Sequence, residues 1–366
     1  MGGYVLINDM KIKFLEANCG DSIIISFVDD QGKIRNILID GGTGETYSSK
    51  RRKGELYYVI EDICNKGQAI DLLILTHIDN DHIGGILKWF EEDKRFSSIV
   101  KNVWFNSGKL IAEYFKQPEN PDLNVGLNIF RNAYTGVSEA EGLEEILLKY
   151  GMWDRKIILR GQNVNQYGVA IQVLAPNESQ LRELLEEYRK VNNDPAYTAA
   201  KKSDWGIDLK TFIEEEKNGF NFKEQKEPKN GSSIAIILTI EGKKLLLLGD
   251  APPGNVISAL NSLGYIEDNP LEVDLFKISH HGSQYSTSKD LLKLVRTDKY
   301  IICTDGSGNS KHPDKRTIAR IIDVNPKANI YFNYEHIGQK LFSDSDCEDF
   351  KEFRIGTIME LENGEG

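Results

Sequence analysis

Two histidines and two aspartates fall within six residues in the run Thr76-His77-Ile78-Asp79-Asn80-Asp81-His82-Ile83-Gly84-Gly85. The whole chain has only six histidines, so composition alone does not account for this clustering. Imidazole nitrogen and carboxylate oxygen are donors that divalent cations select. His77, Asp79, Asp81 and His82 are therefore candidate metal ligands. An apolar stretch, Asp71-Leu72-Leu73-Ile74-Leu75, precedes the run and predicts a buried strand. Ile86-Leu87-Lys88-Trp89-Phe90 follows with helical spacing. Donors at a strand-to-helix junction are held by two rigid elements, as a preorganised site requires. In an extended strand end His77 and Asp79 point the same way, while Asp81 and His82 open the helix and reach a second position.

Three further elements carry chemistry. Asp250 ends Leu245-Leu246-Leu247-Leu248-Gly249, so a carboxylate emerges from a buried strand. Such a charge is costly unless it is paired or metal-bound. His280 and His281 end a second apolar strand and precede Gly282-Ser283. His312 lies in Gly308-Asn309-Ser310-Lys311-His312-Pro313, a turn leading into a helix. His77, Asp79, Asp81, His82, Asp250 and one of His280 and His281, taken here as His280, make a donor set for two divalent ions about 4 Å apart. Asp250 is suited to bridge them. The set mixes imidazole with carboxylate and has no thiolate, so both zinc and manganese suit it.

The elements that must position these residues follow from the pattern. Ser22–Val28 and Asn36–Asp40 read as a hairpin, closed by Gly41-Gly42, and Lys11–Leu15 has strand character. Leu56–Asn65 is helical and Ser98–Phe105 contains a strand. Helices are expected at Glu139–Tyr150 and Glu178–Lys190, with strands at Lys156–Arg160 and Val169–Leu174 between them. Residues 177–229 read as a charged, mainly helical insertion, either a lid or a surface excursion. Strands resume at Ile234–Ile240, Lys244–Leu248, Val273–Ser279, Tyr300–Thr304 and Ile330–Phe332. Helices are expected at Asn255–Leu263, Lys289–Arg296 and Asp314–Val324. This order predicts an α/β (α+β) chain with two central sheets and outer helices. It also predicts a single domain over residues 1–366, with donor-bearing loops at strand ends.

Bulk composition narrows the function. A net charge of −11 argues against tight non-specific binding of nucleic acid over a broad surface. No apolar run approaches the roughly 20 residues of a membrane helix. The N-terminus has no secretory pattern. Four scattered cysteines without a C-x-x-C pair fit a reduced, cytoplasmic chain.

Together and in this order, these residues resemble the metallo-β-lactamase superfamily. His77-x-Asp79-x-Asp81-His82-x-Gly84-Gly85 is similar to its signature. Aspartate at 79, where histidine is usual, is the form seen in the hydrolase domain of ComEC competence proteins. Asn18-Cys19-Gly20-Asp21-Ser22, Ile39-Asp40-Gly41-Gly42, Ser233 before a strand, Leu248-Gly249-Asp250 and Phe276-Lys277-Ile278-Ser279-His280-His281-Gly282-Ser283 match the same subfamily. Asn309 to Pro313 matches loosely, and Gly338 is expected in a terminal hairpin. The resemblance implies a four-layer αββα sandwich with metals at the sheet edge. It implies a metal-dependent hydrolase, foremost a phosphodiesterase or nuclease using a metal-bridging hydroxide. Asp81 would orient the attacking oxygen. His281, Lys277 or His312 would stabilise phosphate or protonate the leaving group. Ser233, Ser283 and Asn309 are candidate substrate contacts. The basic run Lys50-Arg51-Arg52-Lys53 should lie near the metal edge, either holding an anionic substrate or as a solvated charge run. Two departures stand out. There is no membrane channel, and no histidine occurs from 83 to 279, where the superfamily supplies one more ligand. Alternatives are hydrolysis of another ester, thioester or small phosphoester, or a metal-binding subunit of a defence or toxin assembly.

Overall fold

A computed structural model of the protein describes residues 4–7, 10–118, 142–190 and 202–358. The first sheet has six strands in sequence order: β1 (Tyr4–Ile7), β2 (Met10–Phe14), β3 (Ile23–Val28), β4 (Ile34–Ile39), β5 (Leu72–Ile74) and β6 (Val103–Trp104). The second contains β7 (Asn163–Gln166), β8 (Val169–Ala175), β9 (Ala235–Ile240), β10 (Lys243–Leu247), β12 (Leu275–Lys277), β14 (Lys299–Ile302), β15 (Asn329–Phe332) and β16 (Arg354–Thr357). Its order is β16-β15-β14-β12-β10-β9-β8-β7. A separate parallel pair joins β11 (Leu271–Glu272) to β13 (Val295–Arg296).

Strand periodicity explains the layering. Ile37 and Ile39 face one way on β4 and Leu38 the other. The first two join a core shared with Leu72, Ile74, Ile236, Leu245, Leu247, Leu275 and Ile301, which lies between the sheets. Leu38 and Leu73 pack outward against Ile60, Ile86, Trp89 and Phe90 of the helices Glu55–Asn65 and Asn80–Glu92. Leu246, Phe276 and Ile302 pack outward against Val256, Leu260, Ile318 and Ile322 of Pro253–Ser262 and Lys315–Val324. The central strands β5, β9, β12 and β14 are buried on both faces, so they read as largely apolar runs. The result is the expected four-layer αββα sandwich.

Parallel pairing sets where the loops emerge. β4, β5 and β6 are parallel in one sheet, and β10, β12 and β14 in the other. Their C-terminal ends therefore share an edge in each sheet. The Ile234 amide donates to the Thr76 carbonyl at 2.9 Å, and the His280 amide to the Gly249 carbonyl at 3.0 Å. The first bond ties the two sheets together at this edge, and the second joins the loops after β10 and β12.

Several expectations change. Lys156–Arg160 is not a strand, because Asn106 claims its backbone: its side chain accepts from the Ile158 amide at 2.8 Å and donates to the Ile158 carbonyl at 2.9 Å. β16 was not apparent in the sequence, since Ile355 is its only large apolar residue. Gly338 lies in the helix Glu335–Leu341, not in a hairpin. The helix expected from Glu139 spans Leu143–Lys149, and residues 139–141 lie outside the described residues. Within the insertion, residues 191–201 also lie outside them. Its helix Leu209–Lys217 docks on Lys315–Val324 through Arg320–Glu216 at 2.8 Å and Arg316 stacked 4.5 Å from the Phe212 ring centre. That part of the insertion belongs to the outer layer and does not cover the strand ends.

Glycines permit a close backbone approach at the seam. A Cβ on Gly85 would stand 2.0 Å from the Gly41 carbonyl oxygen. Gly85→Ala is expected to force Asn80–Glu92 away from the Gly41-Gly42 turn. The destabilisation should be about 1–3 kcal/mol, as for other overpacked sites. Thermal denaturation of the variant against the parent checks this. An unchanged melting temperature would show that the contact is not tight.

Candidate metal centre

The site begins with Asp40, where β4 ends. Its φ of 55° is unusual for a residue with a Cβ, though aspartate tolerates it better than most. The turn directs the carboxylate back into the seam. Oδ1 accepts from the Thr76 amide at 2.8 Å, and Oδ2 from the Thr76 hydroxyl at 2.6 Å. Oδ2 also lies 2.9 Å from His82 Nδ1. Thr76, its proton committed to Asp40, is left to accept from His77 Nδ1 at 3.0 Å. His281 Nδ1 lies 3.0 Å from the Cys303 carbonyl, which can only accept. Each Nδ1 thus carries the proton, and each Nε2 is the nitrogen presented to the site.

Those Nε2 atoms converge on Asp250, buried at the end of β10. Its Oδ2 lies 3.8 Å from His77 Nε2 and 3.8 Å from His280 Nε2. Its Oδ1 lies 3.3 Å from His82 Nε2 and 3.8 Å from His281 Nε2. Asp79 Oδ2 is 3.7 Å from His77 Nε2, and Asp81 Oδ2 is 3.5 Å from His281 Nε2. Two half-sites result, His77–Asp79–His280 and Asp81–His82–His281, with one oxygen of Asp250 facing each. Ligands about 2.1 Å from one tetrahedral ion stand about 3.4 Å apart, close to these spacings.

The electrostatics support a cation here. Among the described residues, Nε2 of His77, His82 and His281 and Oδ1 of Asp250 are buried without a hydrogen-bond partner. Such groups are costly unless something satisfies them, and one divalent cation in each half would satisfy all four. Without one, protons do that work. Burial opposes charge on His82, yet Asp250 and Asp40 raise its pKa well above the usual value. Burial likewise opposes charge on His281, but Asp21 and Asp250 push it up to about 10. Asp250 is driven well below the carboxylate range, against its burial, by His82, His280 and His281. Burial lowers His77 and His280. Burial also pushes the Cys19 thiol up to about 11 and the Cys303 thiol still higher, so neither offers a thiolate.

The structure brings together all six sequence-predicted metal ligands and His281. The pair His280-His281 serves both halves, which one chosen histidine does not convey. Both residues have positive φ, 49° and 53°, which splays the rings to opposite oxygens of Asp250. His312 joins the group, its ring centre 5.0 Å from that of His280 and 6.5 Å from that of His281.

Three other candidates are corrected. Lys277 is buried and ion-paired with Asp21, so it does not face a substrate. Ser233 is buried beneath the site: its oxygen lies 3.0 Å from His77 Nδ1 and accepts from the Asp250 amide at 3.1 Å. Ser283 is fully buried, accepting from the Tyr285 amide at 3.4 Å. Asn309 is exposed, one residue after Gly308, where a Cβ would stand 3.7 Å from the Cys19 side chain.

Sequence reasoning gave no role to four residues. Asp40 and Asp21 are buried aspartates beside apolar strands, the same signal that marked Asp250. Asp21 offers an atom within 4.8 Å of those of His82, Asp250 and His281. Lys277 pairs with one oxygen of its carboxylate, while the other lies buried 3.4 Å from His281 Nδ1 without a hydrogen-bond partner among the described residues, so Asp21 adds negative charge beside His281. Lys229 Nζ lies 3.2 Å from Asp79 Oδ1, and the Asn230 amide 3.3 Å from His280 Nδ1. Neither had a pattern that would have revealed it.

The metallo-beta-lactamase superfamily model matches residues 25–94, which hold most of β3, all of β4 and β5, Asp40 and the His77–His82 run. No curated protein sequence matches the chain. Among solved structures, the metallo-beta-lactamase fold protein YhfI of Bacillus subtilis is 10% identical over 95% of this chain and 96% of its own, with a TM-score of 0.39. CmlA, a diiron beta-hydroxylase of Streptomyces venezuelae, is 12% identical over 98% of this chain and 53% of its own, with a TM-score of 0.38. The chain has the metallo-β-lactamase fold, with a candidate metal site at the edge where that fold implies divalent ions. No helix among the described residues is long and apolar enough to cross a membrane.

Asp40→Asn keeps the shape but weakens the acceptor that orients His82. Zinc and manganese affinity should fall about 10–100-fold, as for other residues that orient a ligand. Isothermal titration of the variant and parent measures it. Equal affinities would remove Asp40 from the site.

Proposed function

We propose that the chain is a metal-dependent phosphodiesterase, most specifically a nuclease, built on a two-ion centre of zinc or manganese. The observation that carries this reading is the division of Asp250, each oxygen facing two imidazole Nε2 atoms. His77, Asp79 and His280 would hold one ion, and Asp81, His82 and His281 the other, with Asp250 shared. Two divalent ions so held supply Lewis acidity, making water acidic near neutral pH and offsetting charge on phosphate oxygens.

The chain's own residues do the rest. Asp81 is partly exposed at the mouth, and its carboxylate orients the attacking water. Lys229, half-exposed beside Asp79, takes the anion-holding role that buried Lys277 does not fill. His312, next to both histidines of the pair, donates the proton to the departing oxygen. Asp40, Thr76 and Ser233 fix the imidazole tautomers, so the donors are preorganised. The basic residues at 50–52 fit an anionic phosphodiester more readily than a lactam or a thioester.

Two measurements test this reading. Metal content by mass spectrometry should be about two ions per chain, falling to about one in His280→Ala and, separately, in His281→Ala. One variant retaining both ions would show that its histidine is not a ligand. Hydrolysis of bis-p-nitrophenyl phosphate should require added metal and fall at least about 10²-fold in Asp81→Ala. A metal-loaded chain inert on phosphodiesters yet active on a thioester or lactam would sink the phosphodiesterase reading. A chain that takes up no metal would favour a binding role in a larger assembly.

A further inference from the structure

We propose that the cleft bearing Lys50, Arg51 and Arg52 is a groove for a single-stranded polynucleotide leading to the Asp250 centre. This deepens the phosphodiesterase reading and rests on it. The cleft has a volume of about 1070 Å³, and its lining runs from Asn18, Cys19 and Asn80 to Lys50, Arg51 and Arg52. Asn80 stands between Asp79 and Asp81, and the Asp21 amide donates to the Asp81 carbonyl at 3.1 Å. One end of the cleft therefore adjoins the Asp81 half of the centre.

The basic end is a built turn. The Ser49 amide donates to the Arg52 carbonyl at 2.9 Å, and the Ser49 hydroxyl accepts from the Arg51 and Arg52 amides at 3.4 and 3.2 Å. Three exposed cations are fixed on this one loop. Among the described residues none of them has an ion pair, whereas Lys53 and Lys88 both engage Glu92, each at 3.1 Å. Glu45 and Asp305 are the other carboxylates of the lining.

A chain of net charge −11 has no general attraction for polyanions, so such a local patch must supply it. Guanidinium groups suit phosphate through paired donors. Asn18, Thr43 and Asn80 add polar side chains for sugar and phosphate oxygens. The centre is recessed: Asp250, His77, His82 and His281 are each at most 4% exposed. A flexible single strand can bend a phosphate into that recess, while the stiff backbone of a duplex cannot follow it.

The test measures binding of a fluorescein-labelled short poly(dT) to the full chain by anisotropy over a series of salt concentrations. The metal is chelated so that no cleavage intervenes. Lys50→Ala/Arg51→Ala/Arg52→Ala is compared with Lys101→Ala/Lys156→Ala/Lys210→Ala, which removes equal charge from exposed sites elsewhere. The first variant should bind at least about tenfold more weakly and lose about 2 from the slope of log K against log salt, the share of three phosphate contacts on a single strand. The second should bind as the parent does. Equal weakening by both variants, or parent-like binding by the first, would overturn the groove. Duplex of the same length binding as tightly as the strand would overturn the single-strand assignment. Hydrolysis of bis-p-nitrophenyl phosphate by the parent separates the two levels. No hydrolysis with strand binding intact removes the phosphodiesterase reading alone, while hydrolysis with unaltered binding in the first variant removes the groove alone.

Discussion

A carboxylate buried at the seam of two sheets is the constraint around which this chain is organised. Asp250 has almost no contact with water, and burying an unpaired carboxylate costs several kcal/mol or more. Four imidazoles face its two oxygens. Asp250 with Asp40 raises His82, and Asp21 with Asp250 raises His281, above the usual histidine range against their burial, which favours protons there. A cation in each half would replace those protons and pair the orphaned nitrogens as well. The same buried cluster is therefore a liability when empty of charge compensation and a preorganised donor set when compensated. The sandwich supplies what this needs: two parallel segments, β4-β5-β6 and β10-β12-β14, whose C-terminal ends meet.

Placement to a few tenths of an ångström depends on what lies behind the donors. Asp40 orients His82 through Nδ1 and Asp21 places its charge 3.4 Å from His281 Nδ1, and each emerges beside an apolar strand of the first sheet. Lys277 reaches across from the second sheet to pair with Asp21, so an ion pair helps fix the sheets at the depth of the site. Glycine allows the loops to close over this layer. A Cβ at Gly20 would meet the Asp81 carbonyl at 1.8 Å, and one at Gly41 would meet the Ile86 amide at 2.7 Å. The motif glycines thus belong to the geometry of the donors, although none of them donates.

Much of this was legible in the sequence because burial writes a strong signal. Unbroken apolar runs gave β3, β4, β5, β9, β10 and β12, and charged residues at their ends gave the donors. Lys277 was misread because its chemical type was weighed above its parity. Leu275 and Lys277 share a strand face, and Leu275 belongs to the core between the sheets, so Lys277 points inward too. The double use of His280-His281 was hidden for a different reason. It depends on two successive residues with positive φ, a conformation that neither residue type announces. β16 and the irregular Lys156–Arg160 segment depend on tertiary partners, a neighbouring strand in one case and the Asn106 side chain in the other. Local pattern could not supply either.

The two halves of the centre are not held alike. Asp40 and Asp21, both rooted in the core, support the Asp81–His82–His281 half. The His77–Asp79–His280 half meets the short turn that closes the insertion: Lys229 contacts Asp79, Asn230 contacts His280, and Ser233 contacts His77. His280 is also the more accessible of the pair, its side chain 15% exposed against 2% for His281. Segments outside the sheets vary more readily than buried strands do. The insertion therefore has a physical route to the chemistry even where its helices dock on the outer layer. Lys229 sets the charge beside Asp79 and Asn230 contacts His280 Nδ1, whereas Asp40 contacts His82 from the core.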